Sequence, residues 1–166
     1  ALLRVKELPH VLAQLTESRP LPDLLGGISQ GRVLGSLLMS SHGDLLGSSG
    51  FDPAGPDDDP ETVHPSPKVV SAIVSNIWAE YAVTASEVTV SEESSGLDTL
   101  LLQLQHGQLA VAQVCGGAYL LCAYADESFQ PGMLKVKLLA LASSLEDSLQ
   151  QLTRDDDSHV GTPSSF

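Results

Sequence analysis

The residue types that perform chemistry are scattered along this sequence of 166 residues. Its five histidines never occur at the H-x₃-H or H-E-x-x-H spacings that place two metal ligands on one side of a helix. No glycine-rich phosphate loop of the G-x-G-x-x-G or G-x-x-x-x-G-K-S/T type is present. Cys115 and Cys122 have no basic neighbour in sequence that would stabilise a thiolate. We therefore predict no catalytic residue, no cofactor and no metal site, and expect a protein that is not an enzyme.

The net charge of −13 arises from short acidic segments and not from the whole chain. Three stretches, 52–61, 87–98 and 146–157, hold 14 of the 21 acidic residues, and the remainder is neutral. An acidic chain repels phosphate backbones, which argues against a nucleic-acid partner. The aspartate triplets 57–59 and 155–157 do not match an EF-hand loop, so we interpret them as solvated runs.

One uncharged run, 109–125, reaches the shortest length that spans a membrane, 17 residues. Gln113 and the sequence Cys115-Gly116-Gly117 interrupt it, so we predict two strands joined by a turn. Two cysteines and the absence of Asn-x-Ser/Thr suit a reducing compartment.

The apolar pattern predicts an α+β sandwich in which helices flank one five-stranded antiparallel sheet, in the order α-β-β-α-β-β-β-α. Residues 1–152 would form the single domain, with acidic loops at 50–66 and 84–98, and residues 153–166 a disordered tail. The predicted helices cover 5–18, 67–83 and 131–152, and the predicted strands cover 32–40, 45–49, 99–105, 108–114 and 119–125.

The predicted central helix, 67–83, carries only two charged residues, Lys68 and Glu80. Ser66 suits the N-cap and Pro67 the first turn. Large apolar residues follow one side of this helix and small residues the other. A domain of this size rarely has enough layers to bury a helix on all sides, so we favour a partner on the small-residue side. The alternative is an internal helix of the domain.

The predicted third strand begins with Thr-Leu-Leu-Leu-Gln-Leu, without a charge or a proline. At the edge of a sheet such a strand is undefended and normally has a partner strand. The predicted partner interface therefore comprises Ser71, Ser75, Trp78, Ala79 and Ala82 on the central helix with Leu100, Leu102 and Leu104 on this strand.

Three segments resemble the roadblock/dynein light chain family. Val69–Tyr81, which contains Ser-Asn-Ile-Trp-Ala-Glu-Tyr, is similar to the central helix of that family. Tyr119–Glu127 is similar to its fifth strand, and Gly132–Leu149 to its last helix. Together with Leu2–Leu15 they most resemble the branch that supplies the smaller roadblock subunit of Ragulator, a late endosomal and lysosomal adaptor in MAPK and mTOR activation. The linkers, the Cys115-Gly116-Gly117 turn and the acidic tail depart from that branch.

The resemblance implies the profilin-like roadblock fold and a non-enzymatic scaffold. It implies pairing through central helices and third strands, which joins two sheets into one of ten strands. In the Ragulator branch the implied partners are a second roadblock subunit in a heterodimer, a lipidated anchoring subunit, and Rag GTPases. The implied location is the cytoplasmic face of the late endosome or lysosome.

Two further expectations concern contacts beyond this pair. The sequence shows neither a Met-Gly start nor a C-terminal Cys, so we expect its contact with the membrane to be indirect. Lys135 and Lys137 in the predicted last helix are a candidate second partner contact. The alternative within the family is a homodimeric dynein-type light chain that acts as a cargo adaptor. A small enzyme or GTPase regulator is a third, less favoured interpretation.

Overall fold

The computed structural model describes residues 8–16, 31–51, 65–88 and 97–158. The elements follow the predicted order. They are α1 (Leu8–Thr16), β1 (Val33–Ser40), β2 (Leu45–Gly50), α2 (Pro67–Val88), β3 (Thr99–Leu104), β4 (Gly107–Val114), β5 (Tyr119–Ala125) and α3 (Pro131–Ser158).

The five strands form one antiparallel sheet with the spatial order β2-β1-β5-β4-β3. β5 lies at the centre, where Cys122 pairs with Leu37 of β1 on one side and with Val111 of β4 on the other. The uncharged run 109–125 therefore forms β4, a turn and β5, as predicted. β2 and β3 are the two edges of the described sheet, so the condition for an undefended edge is met at β3.

The helices cover the sheet unequally. α1 packs on β1 and β2, and α3 packs mainly on β4, so these two helices share one face. Among the described elements, α2 alone covers the other face. Along β5, Leu121 and Ala123 contribute to the core under α1 and α3, whereas Leu120 and Cys122 contribute to the core under α2. Successive side chains of a strand point to opposite faces of the sheet, and helices cover both faces. The central strands are therefore mostly apolar at both sets of alternating positions.

Small and large side chains complement each other under α3. This core contains four strand alanines opposite four leucines of α3, namely Ala110, Ala112, Ala123 and Ala125 with Leu134, Leu138, Leu141 and Leu145. Small side chains on the sheet let the helix approach closely, and large ones on the helix fill the space between them. Each fully buried leucine stabilises the fold by about 1.5–3 kcal/mol. Hence the predicted amphipathic stripe of the last helix is the side of α3 that faces the sheet.

Two helices extend further than predicted. α2 continues to Val88, because neither glycine nor proline follows Pro67 before residue 96. Thr84 and Ser86 donate their hydroxyl hydrogens to the carbonyl oxygens of Glu80 (3.2 Å) and Val83 (2.7 Å) within the same helix. The predicted loop at 84–98 is therefore helical over its first five residues.

α3 continues to Ser158, six residues beyond the predicted end of the last helix at 152. No glycine or proline ends the helix before that point. The predicted acidic loop over 52–64, residues 89–96 and the end of the tail from 159 lie outside the described residues.

A network around Asp126, which the sequence pattern did not reveal, joins the sheet to the start of α3. One carboxylate oxygen of Asp126 accepts hydrogen bonds from the backbone N–H groups of Ser128 (3.0 Å) and Phe129 (3.1 Å). The other oxygen accepts the N–H of Arg32 before β1. The buried Gln108 side chain donates to the carbonyl oxygens of Asp126 (3.1 Å) and Phe129. The start of β1, the end of β5 and the approach to α3 are thus held by one residue.

Replacing Asp126 therefore tests what positions α3. We expect Asp126→Ala to lower the free energy of unfolding by about 2–3 kcal/mol, because backbone donors lose a charged acceptor. Urea unfolding followed by circular dichroism measures this change. The control is Asp147→Ala at an exposed position of α3, for which we expect a change within about 0.5 kcal/mol. Equal effects of the two variants would show that the Asp126 network does not stabilise the fold.

Candidate protein interface

The outward side of α2 exposes large apolar residues. Val70, Val74 and Trp78 face the sheet and are buried. The helix also carries Val69, Ile73, Tyr81 and Val83, which are 51%, 50%, 49% and 59% exposed. A solvent-facing side of a helix normally carries charged and polar residues. The exposed side of α2 therefore has the composition of a contact surface.

Four predicted interface residues of α2 are engaged within this chain. Ser71 and Trp78 are buried under the helix, and Ser71 donates its hydroxyl hydrogen to the Lys68 carbonyl oxygen (2.9 Å). Ala82 packs against the core on the α2 side of the sheet. Ser75 lies beneath the β1–β2 turn, where a Cβ on Gly43 would come within 3.1 Å of its hydroxyl oxygen. Small residues are therefore needed here because the hairpin of this same chain approaches α2.

Ala79 is exposed, unlike the other small residues predicted for the interface. It lies on the outward side of α2 with Ala72 and Asn76. We name as the α2 outer face the exposed residues Val69, Ala72, Ile73, Asn76, Ala79 and Val83. The sequence held one signal for this face, since large apolar residues occur in adjacent pairs such as Val69-Val70 and Ile73-Val74. One buried stripe uses only one member of each pair.

The β3 residues of the predicted interface have unequal exposure. Leu100 and Leu102 are partly buried against the core on the α2 side, opposite Val111 and Leu109 of β4. Leu104 lies on the same side and is 44% exposed. Among the described strands, β3 pairs with β4 alone, so one edge of its backbone is open. The α2 outer face and this open edge are the two parts of the candidate interface.

Lys135 and Lys137 are not brought to the α2 side, because α3 lies on the opposite face of the sheet. Lys135 is exposed. Lys137 is half-buried, and its amino nitrogen lies 5.4 Å from the centroid of the Phe129 ring, which is the geometry of a cation–π contact. These lysines therefore belong to a second surface.

The two cysteines differ in their surroundings, and neither resembles a redox thiol. Cys122 is buried, with its sulfur 4.0 Å from that of Met39, and burial raises its thiol pKa. Cys115 lies in the β4–β5 turn, where partial burial and then the Glu146 carboxylate raise its pKa. Since a raised pKa suppresses the thiolate, both thiols are poor nucleophiles at neutral pH.

Two other features are absent from the described part of the chain. No group of three or more His, Cys, Asp and Glu side chains is placed to hold a metal ion. None of the helices there combines the length and the hydropathy needed to cross a bilayer.

Thiol labelling tests the placement of these cysteines. We expect a thiol reagent at pH 8 to modify Cys115 in the folded chain, and Cys122 only after unfolding. Glu146→Gln should increase the rate at Cys115 about twofold, because a lower pKa increases the thiolate fraction. Asp147→Asn, which removes the neighbouring charge, is the matched control and should leave the rate unchanged. Labelling of both thiols in the folded chain would contradict the burial of Cys122.

The sequence is similar to a component of a known complex, although no family model matches it. It is 26% identical over 141 residues to the Ragulator complex protein LAMTOR2 homolog of Caenorhabditis elegans. The match covers 85% of this chain and 98% of that protein, so the similarity spans the domain.

Solved structures show the same fold. MglB from Myxococcus xanthus matches with a TM-score of 0.65 and 12% identity, covering 90% of this chain and 92% of that one. A Roadblock/LC7 domain from Streptomyces avermitilis matches with a TM-score of 0.59 and 13% identity, covering 86% of this chain and 97% of that one. The gliding protein MglB from Thermus thermophilus matches with a TM-score of 0.62 and 15% identity, covering 90% of this chain and 96% of that one. The fold and the relative together confirm the predicted resemblance to the roadblock family, close to a Ragulator subunit.

Proposed function

We propose that this roadblock-fold chain is a non-enzymatic scaffold subunit that pairs with a second roadblock-domain subunit in a Ragulator-like complex. The exposed apolar side of α2 is the observation that carries the proposal, since its large side chains are about half exposed in the isolated chain. Similarity to the LAMTOR2 homolog over nearly its whole length supports the assignment to that complex.

A comparison of the free energies of burial and of association favours an interface that combines α2 and β3 over a helix contact alone. Covering a half-exposed Val or Ile contributes roughly 1 kcal/mol, so Val69, Ile73 and Val83 of the α2 outer face contribute roughly 3 kcal/mol from this chain. Association of two proteins costs about 4–15 kcal/mol in lost freedom of motion. This chain's side of a helix contact therefore does not offset even the smallest such cost by itself. Hydrogen bonds along β3, at about 1 kcal/mol each, supply a second contribution.

The fold allows both contacts to form with one partner. Leu100, Leu102 and Leu104 lie on the side of the sheet that α2 covers. A partner strand added to β3 would bring its own central helix to the same side, and two five-stranded sheets would become one of ten strands. β2, the opposite edge, would remain outside this pairing.

In the proposed role the pair is held by a lipidated subunit on the cytoplasmic face of late endosomes or lysosomes. There it provides a docking platform for Rag GTPases and supports mTOR and MAPK signalling. Similarity to the Ragulator branch is the support for this part of the proposal.

The two edge strands offer a matched pair of variants. We expect Leu104→Asp on β3 to abolish pairing, because it places a charge on the open edge. Leu46→Asp on β2 changes a leucine of similar exposure, 40% against 44%, and should leave pairing intact. Leu102→Asp is less informative, because Leu102 is partly buried and the charge would also destabilise the fold. Equal effects of the Leu104 and Leu46 variants would rule out β3 as the contact.

A second pair of variants tests the α2 outer face. Ala79→Arg should prevent pairing, because a long charged side chain on this face cannot be accommodated between two helices. Ala140→Arg, on the exposed side of α3, is the matched control and should leave pairing intact. Analytical ultracentrifugation of the chain, alone and co-expressed with other roadblock proteins of its source organism, measures the assembly. A stable homodimer that excludes them would contradict the Ragulator-like assignment and favour a dynein-type light chain.

A further inference from the structure

The exposed residues of α2 follow the spacing of a coiled-coil seam. Five members of the α2 outer face recur at alternating intervals of three and four residues, namely Val69, Ala72, Asn76, Ala79 and Val83. All five are exposed in the isolated chain. Two helices pack with the side chains of one between those of the other when such a seam is apolar on both. The α2 outer face therefore has the pattern of a surface that a second helix covers.

Asn76 is the polar residue at the middle of this seam. Val69 lies seven residues before it and Val83 seven residues after it, which is about two helical turns in each direction. A residue at the midpoint faces a covering helix whichever way that helix runs. Asn76 is therefore the position of the seam that contacts the partner helix in either orientation.

The side-chain amide of Asn76 is not used within this domain. It forms no hydrogen bond with another described residue, and the residue is exposed. Asparagine is also a poor helix former, so the stability of the 22-residue α2 does not account for its central position. Covering the amide with a purely apolar helix would bury its donors and acceptor without partners, which costs free energy. A covering helix must therefore supply a hydrogen-bonding group at this point.

Small neighbours allow the two helices to come close at Asn76. Ala72 lies one turn before it and Ala79 one turn after it on the same side of the helix. Side chains at the contact set the distance between helix axes, and small ones favour the short end of the range, about 8 Å. At this separation the short Asn76 side chain reaches a side chain of the facing helix.

We infer that Asn76 selects the pairing partner, by hydrogen bonding to an uncharged amide or hydroxyl side chain at the middle of the central helix of the second roadblock subunit. This selection rests on the pairing proposed for α2 and β3, and it specifies the chemistry that the partner presents. Asn, Gln, Ser and Thr each complement an amide, which both donates and accepts. The exposed Glu80, one turn after Asn76, would repel a carboxylate at that point.

A single buried asparagine in an apolar seam has a known physical effect. It fixes the register and the number of helices, because any arrangement that leaves the amide unpaired is penalised, and it lowers the affinity relative to an apolar residue. The α2 outer face thus combines apolar residues that provide affinity with one amide that discriminates between partners.

Replacing Asn76 by leucine in the full chain tests this role. The roadblock subunit that pairs with the chain on co-expression is the probe, and isothermal titration calorimetry measures its binding. We expect Asn76→Leu to raise the Kd of this heteropair about tenfold, because the polar group of the partner is then buried without a hydrogen bond. Self-association of the chain, measured by sedimentation equilibrium, should strengthen about tenfold, because two leucines replace two amides in the seam. A general loss of structure would weaken both kinds of pairing.

Two further variants complete the experiment. Ser144→Leu makes a similar polar-to-leucine change at an exposed position of α3, and it should leave both constants unchanged. Leucine in place of the polar residue of the partner helix should restore the affinity for Asn76→Leu to within about threefold of the wild-type pair. Such compensation shows that the two positions are coupled across the interface.

Three results would overturn the proposal. They are an unchanged affinity of Asn76→Leu for the second roadblock subunit, an unchanged self-association, and a partner whose central helix has no hydrogen-bonding residue at its middle. Leu104→Asp tests the pairing itself in the same assays. Wild-type pairing that Leu104→Asp disrupts and Asn76→Leu leaves unaltered would reject the role of Asn76 alone. A wild-type chain that pairs with no second roadblock subunit would reject the proposed function as well.

Discussion

Burial of β5 on both of its faces is the constraint on which the rest of the structure depends. β5 pairs with β1 on one side and with β4 on the other, so it joins the N-terminal hairpin to the C-terminal one. Its side chains enter both cores, which requires helices above and below the sheet. The same arrangement places β2 and β3 at the edges. The eight elements of the described residues thereby have a protected central strand and two edge strands with one strand neighbour each.

Unequal coverage of the sheet explains why the outward side of α2 is available as a contact surface. α2 covers one face alone, so its outward side meets no further element of this domain in the described part of the chain. α3 shares the other face with α1, and its sheet-facing stripe is filled by leucines that pack against alanines. The outward sides of both helices carry exposed apolar residues, such as Val69 and Ile73 on α2 and Val136 on α3. The outward sides of α2 and α3 lie on opposite faces of the sheet.

Small side chains have two different uses in this chain, and their sequence pattern does not separate them. Ser71, Ser75 and Ala82 are small because α2 lies close to its own sheet and hairpin turn. Ala79 lies on the other side of the helix and is exposed. Close approach within a domain and close approach between domains make the same steric demand, so residue size alone does not say which neighbour is near.

The sequence by itself determined the order of the elements, the antiparallel sheet and the absence of a recognisable catalytic motif, because local spacing of apolar residues and turn residues encodes them. It also located the uncharged helix and the undefended strand. Only the tertiary structure decided which side of α2 is free, since Trp78 and Val69 are both apolar and differ only in what packs on them. The Asp126 network likewise joins residues that are distant in sequence, so no local sequence pattern indicates it. Helix periodicity fixes which residues share a side, whereas the position of the sheet fixes which side is covered.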